Sequence, residues 1–324
     1  MASLALASLR LFYPRMLESA GWGLLPLVDH EFGGLSTDLK LSVLEKYLRA
    51  YTTALKGKFR ELWYIDAFAG TGFRTVKHEA SDGGMMGDDT PARVEQRRGS
   101  AMIAIDTVPE FDRVIFIEKK PSHCAALEQL MREYSTRDIT LDRNDANESI
   151  RKNVAWDGWS NTRAVMFLDP YGMDVDWETL EAISQTKAID VWYLVSLSGL
   201  FRQATRDPEK IDDHKRAALT RMLGTADWEK AWYTEERAID LFGNEGTKPT
   251  TYRWADVSEM ERFVGNRLKS IFAEVLPPLR LHNERGAPMF ALFFAISNPE
   301  PKAIGLATSI AGHILKAAER GISS

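Results

Sequence analysis

Apolar positions in this chain change their spacing from one segment to the next. Between Thr37 and Gly57 they recur at helical intervals. Leu39, Val43, Tyr47 and Leu48 fall near one face, Ser36, Thr37 or Asp38 is placed to cap the start, and Gly57 to stop it. LWYIDAF, from Leu62, is then almost continuously apolar, as a strand buried on both faces must be. The texture changes again in RTVKHEASDGGMMGDDTPARVEQRRGS, which is polar, glycine-rich and charged with both signs, and which reads as a mobile insertion. SAMIAIDTV resumes a helical pattern. Alternation follows: FDRVIFIEK as a strand, PSHCAALEQLMREYS as a helix with Pro121 in its first turn, DITLDRND as a strand, ANESIRKNV as a helix, RAVMFLDPYG as a strand, DWETLEAISQ as a helix and AIDVWYLVSL as a strand. Five strands alternating with helices predict an α/β fold with a mostly parallel sheet covered on both faces.

From Phe201 to about Leu276 the pattern reads as helical, broken at Gly224 and Gly243. LRLHNERGAPMFALFFAISNP then predicts two strands around a turn at Arg285-Gly286, and KAIGLATSIAGHILKAAE a closing helix. The expected organisation is an N-terminal extension (1–36), a Rossmann-like core (37–200), a helical insert (201–276) and a hairpin with a helix that complete the core (277–324). No proline-rich linker marks off a second domain.

Composition changes this picture little. The formal net charge of −5 argues against a general basic coat for unspecific nucleic-acid binding but leaves room for a local basic groove. A single cysteine, Cys124, excludes a disulfide framework and a cysteine-based zinc site, and the six histidines lack metal-ligand spacing. No metal is expected. No apolar run approaches the roughly 20 residues of a membrane-spanning helix. The opening MASLALASLRLFYPRM is interrupted by Arg10 and lacks a cleavage signal, so a cytoplasmic, membrane-free protein is expected.

Ligands of open α/β sheets bind beyond the carboxyl ends of the strands, where the winding reverses. Asp66 to Gly72 occupies that place after the first strand, and glycines there let the backbone approach a ligand. The dinucleotide fingerprint G-x-G-x-x-G is broken: Gly70 and Gly72 fill the first two places, but Thr75 stands in the third. There is no phosphate-loop motif either, so NAD and ATP are disfavoured. A lone G-x-G is as well explained by a turn. Other strand ends change the balance. Glu118, after VIFI, is placed to accept both ribose hydroxyls of an adenosine, and Asn144-Asp145 to read an adenine amino group. FLDPYG ends the fourth strand on the same rim. Together these residues point to a nucleoside site.

These residues resemble the class I S-adenosylmethionine-dependent methyltransferases. Asp66-Ala67-Phe68-Ala69-Gly70-Thr71-Gly72 is similar to their first motif and Glu118 to their second-strand acid. Asn144-Asp145 and Asp169-Pro170-Tyr171-Gly172 are similar to their third and fourth motifs, and the terminal hairpin to their antiparallel β6–β7 pair. The resemblance implies S-adenosylmethionine as cofactor, bound by Asp66, Phe68, Gly70, Gly72, Glu118, Asn144 and Asp145. From about Thr37 onward, KLSVLEKYLRAYTTAL, WYIDAFAGTG, FLDPYGMDVDW, DVWYLVSLSG and LGTADWEKAWY also resemble the three-Cys-motif partner (TcmP) family, which implies a separate partner protein carrying three cysteines.

Asp-Pro-aromatic is the arrangement amino-methyltransferases use on an exocyclic nitrogen. Asp169 and the Pro170 carbonyl would accept the two N–H bonds of such an amine, and Tyr171 would stack on its base. The common nitrogen-methylating motif has two prolines; Asp-Pro-aromatic-Gly is closer to certain tRNA guanine-N2 methyltransferases. The expected activity is therefore methylation of an exocyclic amino nitrogen of a nucleic-acid base, RNA or DNA, with a turn as the competing reading of DPYG. The alternative is a non-catalytic module that docks the three-cysteine partner. The basic residues between Phe201 and Arg221 are diluted by Asp207, Glu209, Asp212 and Asp213, and read as a solvated helix surface; Arg93, Arg97 and Arg98 are a second candidate for phosphate contact. Trp228, Trp232, Tyr233, Phe242, Tyr252 and Trp254 read as core or partner interface, with base stacking as the alternative.

Overall fold

The computed structural model describes residues 35–78, 93–239 and 245–322. The proposed N-terminal extension lies almost wholly outside them, as do Phe242 and Gly243. Helix α1 (Leu35–Leu55) starts earlier than its capping signal suggests, so Ser36, Thr37 and Asp38 fall within its first turn, where an acid suits the helix dipole. Gly57 at φ +81° turns the chain into β1 (Glu61–Asp66).

The rest of the core alternates as its pattern predicts: α2 (Ser100–Ile105), β4 (Arg113–Ile117), α3 (Pro121–Glu133), β5 (Ile139–Asp142), α4 (Ala146–Val154), β6 (Thr162–Leu168), α5 (Trp177–Gln185) and β7 (Ile189–Ser196). Between β1 and α2 stand β2 (Phe73–His78) and β3 (Arg93–Arg98). The central sheet runs β5-β4-β1-β6-β7-β12, with β10 (Glu274–Val275) and β11 (Leu279–His282) both paired to the outer edge of β12 (Pro288–Ile296). All pairs from β5 to β7 are parallel, whereas β12 runs antiparallel to β7. This is the mostly parallel, Rossmann-like sheet with an antiparallel C-terminal hairpin that the sequence implies. The hairpin turns at Gly286, whose φ of +76° needs a residue without a side chain.

Each central strand feeds two cores. Trp63, Ile65, Ile115, Met166, Leu168, Val191 and Tyr193 pack on one face with α4, α5 and the insert. Leu62, Tyr64, Phe116, Val165, Phe167, Trp192 and Leu194 pack on the other with α1, α2 and α10 (Pro301–Ile322). Burial on both sides explains why the strands read as unbroken apolar runs.

Two expectations are corrected. The polar insertion after Gly72 is not structureless at its ends: Phe73↔Arg98 through His78↔Arg93 pair as an antiparallel ribbon, and residues 79–92 lie outside the described range. The segment 201–276 is not all helix. It contains α6 (Leu197–Gln203), α7 (Asp213–Leu223), α8 (Asp227–Trp232), the antiparallel pair β8 (Tyr233–Ile239) and β9 (Glu245–Arg253), and α9 (Val257–Lys269). Thr234, Thr250, Thr251 and Tyr252 favour extended backbone, and the ribbon's alternation is too polar to register as a buried strand. Trp228 and Trp232 are fully buried, as their core reading requires.

The insert docks through Gly224. This glycine ends α7 in the left-handed region (φ +67°) and lies against the Trp177 ring of α5, which also carries the Arg267 guanidinium 4.2 Å from its centroid. Arg267 Nε also donates to the Leu223 carbonyl, 2.9 Å away. A Cβ at 224 would come within 2.1 Å of Trp177 Cδ1. Gly224→Ala is therefore expected to cost more than the ~1 kcal/mol of the backbone conformation alone and to lower the calorimetric melting temperature by several degrees. An unchanged melting temperature would show that Trp177 does not hold this junction.

Candidate active site

The sheet reverses its winding between β1 and β6, which lie side by side with Asp66 opposite Phe167. The loop after β1 is threaded between the ends of its two neighbours. Ala67 N donates to the Phe167 carbonyl (3.1 Å) and Ala69 N to the Ile117 carbonyl (3.2 Å). Gly70, at φ +62°, faces open space: a Cβ there would meet no atom within 4 Å. Its N–H donates to Glu118 Oε2 at 3.0 Å. The Glu118 carboxylate, 6% exposed, also accepts from Lys120 N at 2.8 Å and lies 3.3 Å from His123 Nδ1. The first motif and the second-strand acid thus meet directly, and the buried His123 stands behind the carboxylate. Nothing in the sequence pattern marked His123, which sits on an apolar helix face.

Asp66 takes a different place from the one expected of a ligand-facing acid. Its side chain has no exposed surface. Tyr64 Oη donates to its Oδ2 (3.2 Å), Phe68 N to its Oδ1 (3.4 Å), and the Ser100 hydroxyl bonds to it as well. Burial pushes its carboxyl from 3.8 up to about 7. The hydrogen bonds from Ser100, Tyr64 and Phe68 oppose that rise, and the Asp169 charge adds to it. Asp66 therefore shapes the loop from beneath, and Phe68, half-buried beside it, packs against the core under α4 and α5.

Gly72 likewise packs rather than opens. A Cβ on it would strike Leu130 Cδ2 at 2.8 Å, so the glycine lets the loop lie against α3. Its carbonyl accepts from Gly99 N at 2.8 Å, and a Cβ on Gly99 would meet that same oxygen at 2.8 Å. Two glycines pinch the ribbon of β2 and β3 closed at its base. Helix α2 consequently begins beside the β1 loop despite the long insertion, and Ser100 reaches Asp66.

The fourth-strand motif lies across the rim. Asp169 follows β6, and its Oδ2 accepts from Lys40 Nζ of α1 at 2.5 Å; the Lys40 side chain is only 10% exposed. The Pro170 carbonyl accepts from Gly172 N at 2.9 Å. Tyr171 is 61% exposed, and its phenol is pushed up first by burial and then by the charges of Glu118 and Asp169. Two residues before Lys40, Asp38 holds Arg97 (2.7 Å) and Arg74 of the ribbon, so α1 joins the ribbon to Asp169. Lys40 carried no signal in the sequence beyond its place on an amphipathic helix, and Asp38 only that of a helix cap.

The third strand end contributes less directly. Asn144 is exposed and donates to Asp142 Oδ1 at 2.6 Å, within its own strand end. Asp145 caps α4 by accepting from Asn147 N (2.9 Å) and lies 3.5 Å from Lys119 Nζ, beside Glu118. Asn147 then ties α4 to the segment after the fourth motif: it donates to the Asp174 carbonyl (2.8 Å), and its Oδ1 accepts from Asp176 N and Thr179 Oγ1 (both 2.9 Å). The structure thus brings Gly70, Glu118, Asp169, Pro170 and Tyr171 to one rim, supports them with Asp66 and Gly72, and leaves Asn144 and Asp145 at its edge.

A buried acid with a raised pKa fixes the sign of a pH effect. Between pH ~4 and ~7 the folded chain keeps a proton on Asp66 that the unfolded chain has released, so stability falls as pH rises through this window, at up to ~1.4 kcal/mol per unit from this group. Asp66→Asn keeps the shape and removes the titration. In denaturant unfolding, the variant should gain stability relative to the parent as pH is raised from 5 to 8. A difference that is constant across that range would show that Asp66 is already ionised in the folded state.

No family model matches the sequence, and no curated protein matches it. Solved structures similar in backbone include protein LPL1258 from Legionella pneumophila, 15% identical, with a TM-score of 0.47 over 86% of this chain and 91% of that one. An S-adenosylmethionine-dependent methyltransferase from Clostridium acetobutylicum is 10% identical, with a TM-score of 0.34 over 78% of this chain and 92% of that one. The N-terminal domain of EvdMO1, solved with SAH bound, is 12% identical, with a TM-score of 0.36 over 78% of this chain and 79% of that one. The fold assignment rests on the chain's own strand order, parallel from β5 to β7 and closed by the antiparallel β12.

Proposed function

We propose that this chain is an S-adenosylmethionine-dependent methyltransferase that modifies an exocyclic amino nitrogen of a nucleic-acid base. The observation that carries the reading is the contact between Gly70 and Glu118 at the reversal point of the sheet, with Asp169-Pro170-Tyr171 across the same rim. The residues fit an adenosine ligand. Gly70 offers a side-chain-free backbone facing open space, and Glu118 a carboxylate held by two backbone N–H groups. Gly70 and Glu118 would hold the ribose side, with Asp145 and Asn144 at its adenine edge. Asp66 and Gly72 act through the loop, and Phe68 through its packing.

S-adenosylmethionine bound there supplies a methyl group on a sulfonium sulfur. The chain's part is to position the acceptor. The Asp169 carboxylate accepts one N–H of the amine through Oδ1, since Oδ2 is engaged by Lys40. The Pro170 carbonyl has a second lone pair for the other N–H. The lone pair of the nitrogen is then aimed at the methyl carbon. Asp169 or water would take the surplus proton that the nitrogen carries once methylated. Tyr171 stacks on the base and fixes its plane. Holding reactants in this way can supply roughly 7–11 kcal/mol of a barrier reduction.

One observation favours a second reading. The Asp169 carboxylate is already neutralised by Lys40, as it would be in an idle pocket on a module that docks a three-cysteine partner.

Isothermal titration with S-adenosylhomocysteine separates the roles. Glu118→Ala is expected to weaken binding by roughly 1.5–3 kcal/mol, as for lost bonds to a charged group. Asp169→Ala should leave affinity within a few-fold while abolishing transfer of a radiolabelled methyl group to pooled cellular RNA or DNA. Absence of any binding heat at millimolar ligand would sink the methyltransferase reading. Lys40→Ala tests the second reading: methyl transfer that appears only in this variant would show that the ion pair keeps the site idle.

A further inference from the structure

Five large aromatic side chains are exposed among the described residues: Phe73, Trp156, Tyr171, Phe201 and Trp254. Trp156 follows α4, away from the site, and is stacked 4.6 Å from the Trp63 ring. Three of the others follow the carboxyl ends of central strands. Phe73 follows the loop after β1, Tyr171 stands three residues beyond β6, and Phe201 lies in α6, which starts where β7 ends. Trp254 follows Arg253, whose contacts reach the Phe201 segment, and its own N–H donates to the Trp232 carbonyl (3.0 Å). Arg253 N donates to the Arg206 carbonyl (2.8 Å), Nη1 to the Phe201 carbonyl (2.6 Å), and its guanidinium lies 3.5 Å from the Phe201 ring centroid.

The charge beside these rings is uncompensated. Arg202 Nε donates only to the Ser198 carbonyl of its own helix (3.3 Å), and Arg253 is spent on backbone carbonyls. Among the described residues, none of Arg202, Arg206 and Arg253 forms an ion pair with a carboxylate. The nearest acid in sequence, Asp207, is occupied: Glu209 N donates to its Oδ1 (3.1 Å), and Lys210 Nζ is 3.7 Å from its Oδ2. The sequence suggested that the acids of this segment dilute its basic residues. In the structure Asp207 and Asp212 are engaged locally, by Lys210 and Lys215, and the Arg253 guanidinium lies over the Phe201 ring.

We propose that this ledge, with Tyr171, Phe201 and Trp254 as its rings and Arg202 and Arg206 as its charges, is the surface on which a single-stranded nucleic-acid segment lies as its target base enters the pocket. The identity of that base as the substrate rests on the methyltransferase reading above. Ring faces suit bases that are not stacked on one another, and guanidinium groups suit the phosphates between them. A duplex offers its phosphates but hides its base faces, so the ledge selects single strands, loops or ends. Position supports the assignment: Tyr171 is part of the candidate acceptor motif, and Phe201 opens from the adjoining strand.

Fluorescence anisotropy with labelled single strands of about 20 nucleotides, RNA and DNA, and with the matching duplex, tests the ledge. Single strands should bind more tightly than the duplex. Trp254→Ala should weaken single-strand binding at least ~5-fold, in line with loss of one stacked base, and Trp254→Phe should restore most of it. Arg202→Ala and Arg206→Ala should each reduce the slope of log affinity against log salt by about 0.7. These side chains are exposed, and unchanged melting curves will confirm that the variants fold. No binding at low salt, or binding indifferent to all three positions, overturns the proposal. So does self-association removed by Trp254→Ala without oligonucleotide binding, which would assign the ledge to a second copy of the chain. Titration with S-adenosylhomocysteine on the same samples separates the two inferences. Cofactor binding without oligonucleotide binding defeats the ledge alone, and oligonucleotide binding without cofactor binding supports the ledge and defeats methyl transfer.

Discussion

A carboxyl group sealed from water at the end of β1 is the constraint around which the site is assembled. Asp66 has no exposure, and its environment favours the protonated form. It is nonetheless kept by donors from three places: Tyr64 within the strand, Phe68 in the loop and Ser100 at the start of α2. Burying a polar group is costly unless its bonds are made, so these donors must arrive together. Satisfying them fixes the loop, and the fixed loop presents Gly70 to Glu118. The geometry on the solvent side of the rim is thus set by a polar network on its protein side.

A second ionic network reaches the rim from the opposite direction. Helix α1 is bound to the sheet by Leu44, Tyr47, Leu48 and Tyr51, all buried, so the side chains of its first two turns are delivered at a defined height. Lys40 meets Asp169 there, and Asp38 meets the arginines of the ribbon. A nearly buried ion pair is poor evidence of stability, because desolvation offsets much of its attraction. Its meaning here is positional: it holds the carboxylate beside the pocket while occupying one of its two oxygens.

Much of the fold was legible because the strands are buried on both faces and therefore run apolar, and because strands and helices alternate from Glu61 to Ser196. The antiparallel hairpin announced itself through Arg285-Gly286. The β8–β9 ribbon did not, since its residues are polar and bury no continuous face. The motifs located the rim but not the division of labour within it. Asp66 and Gly72 look like ligand contacts in a linear motif, and only packing shows that one is enclosed and the other wedged against Leu130. Lys40 and His123 were invisible for the opposite reason: each belongs to an ordinary helix pattern and gains its role from a partner 129 or 5 residues away. The exposed rings at 171, 201 and 254 lie far apart in sequence, so no local pattern could unite them.

The pinch between Gly72 and Gly99 carries one more consequence. Because the Gly72 carbonyl and Gly99 N–H meet at its base, the ribbon of β2 and β3 is grafted onto the fold, its strands pairing only with each other. Apart from Arg74, Arg97 and Arg98, which pair with acids of α1, its described residues ask little of the strands beneath. The rim of the pocket can thereby acquire new edges while the floor stays as it was.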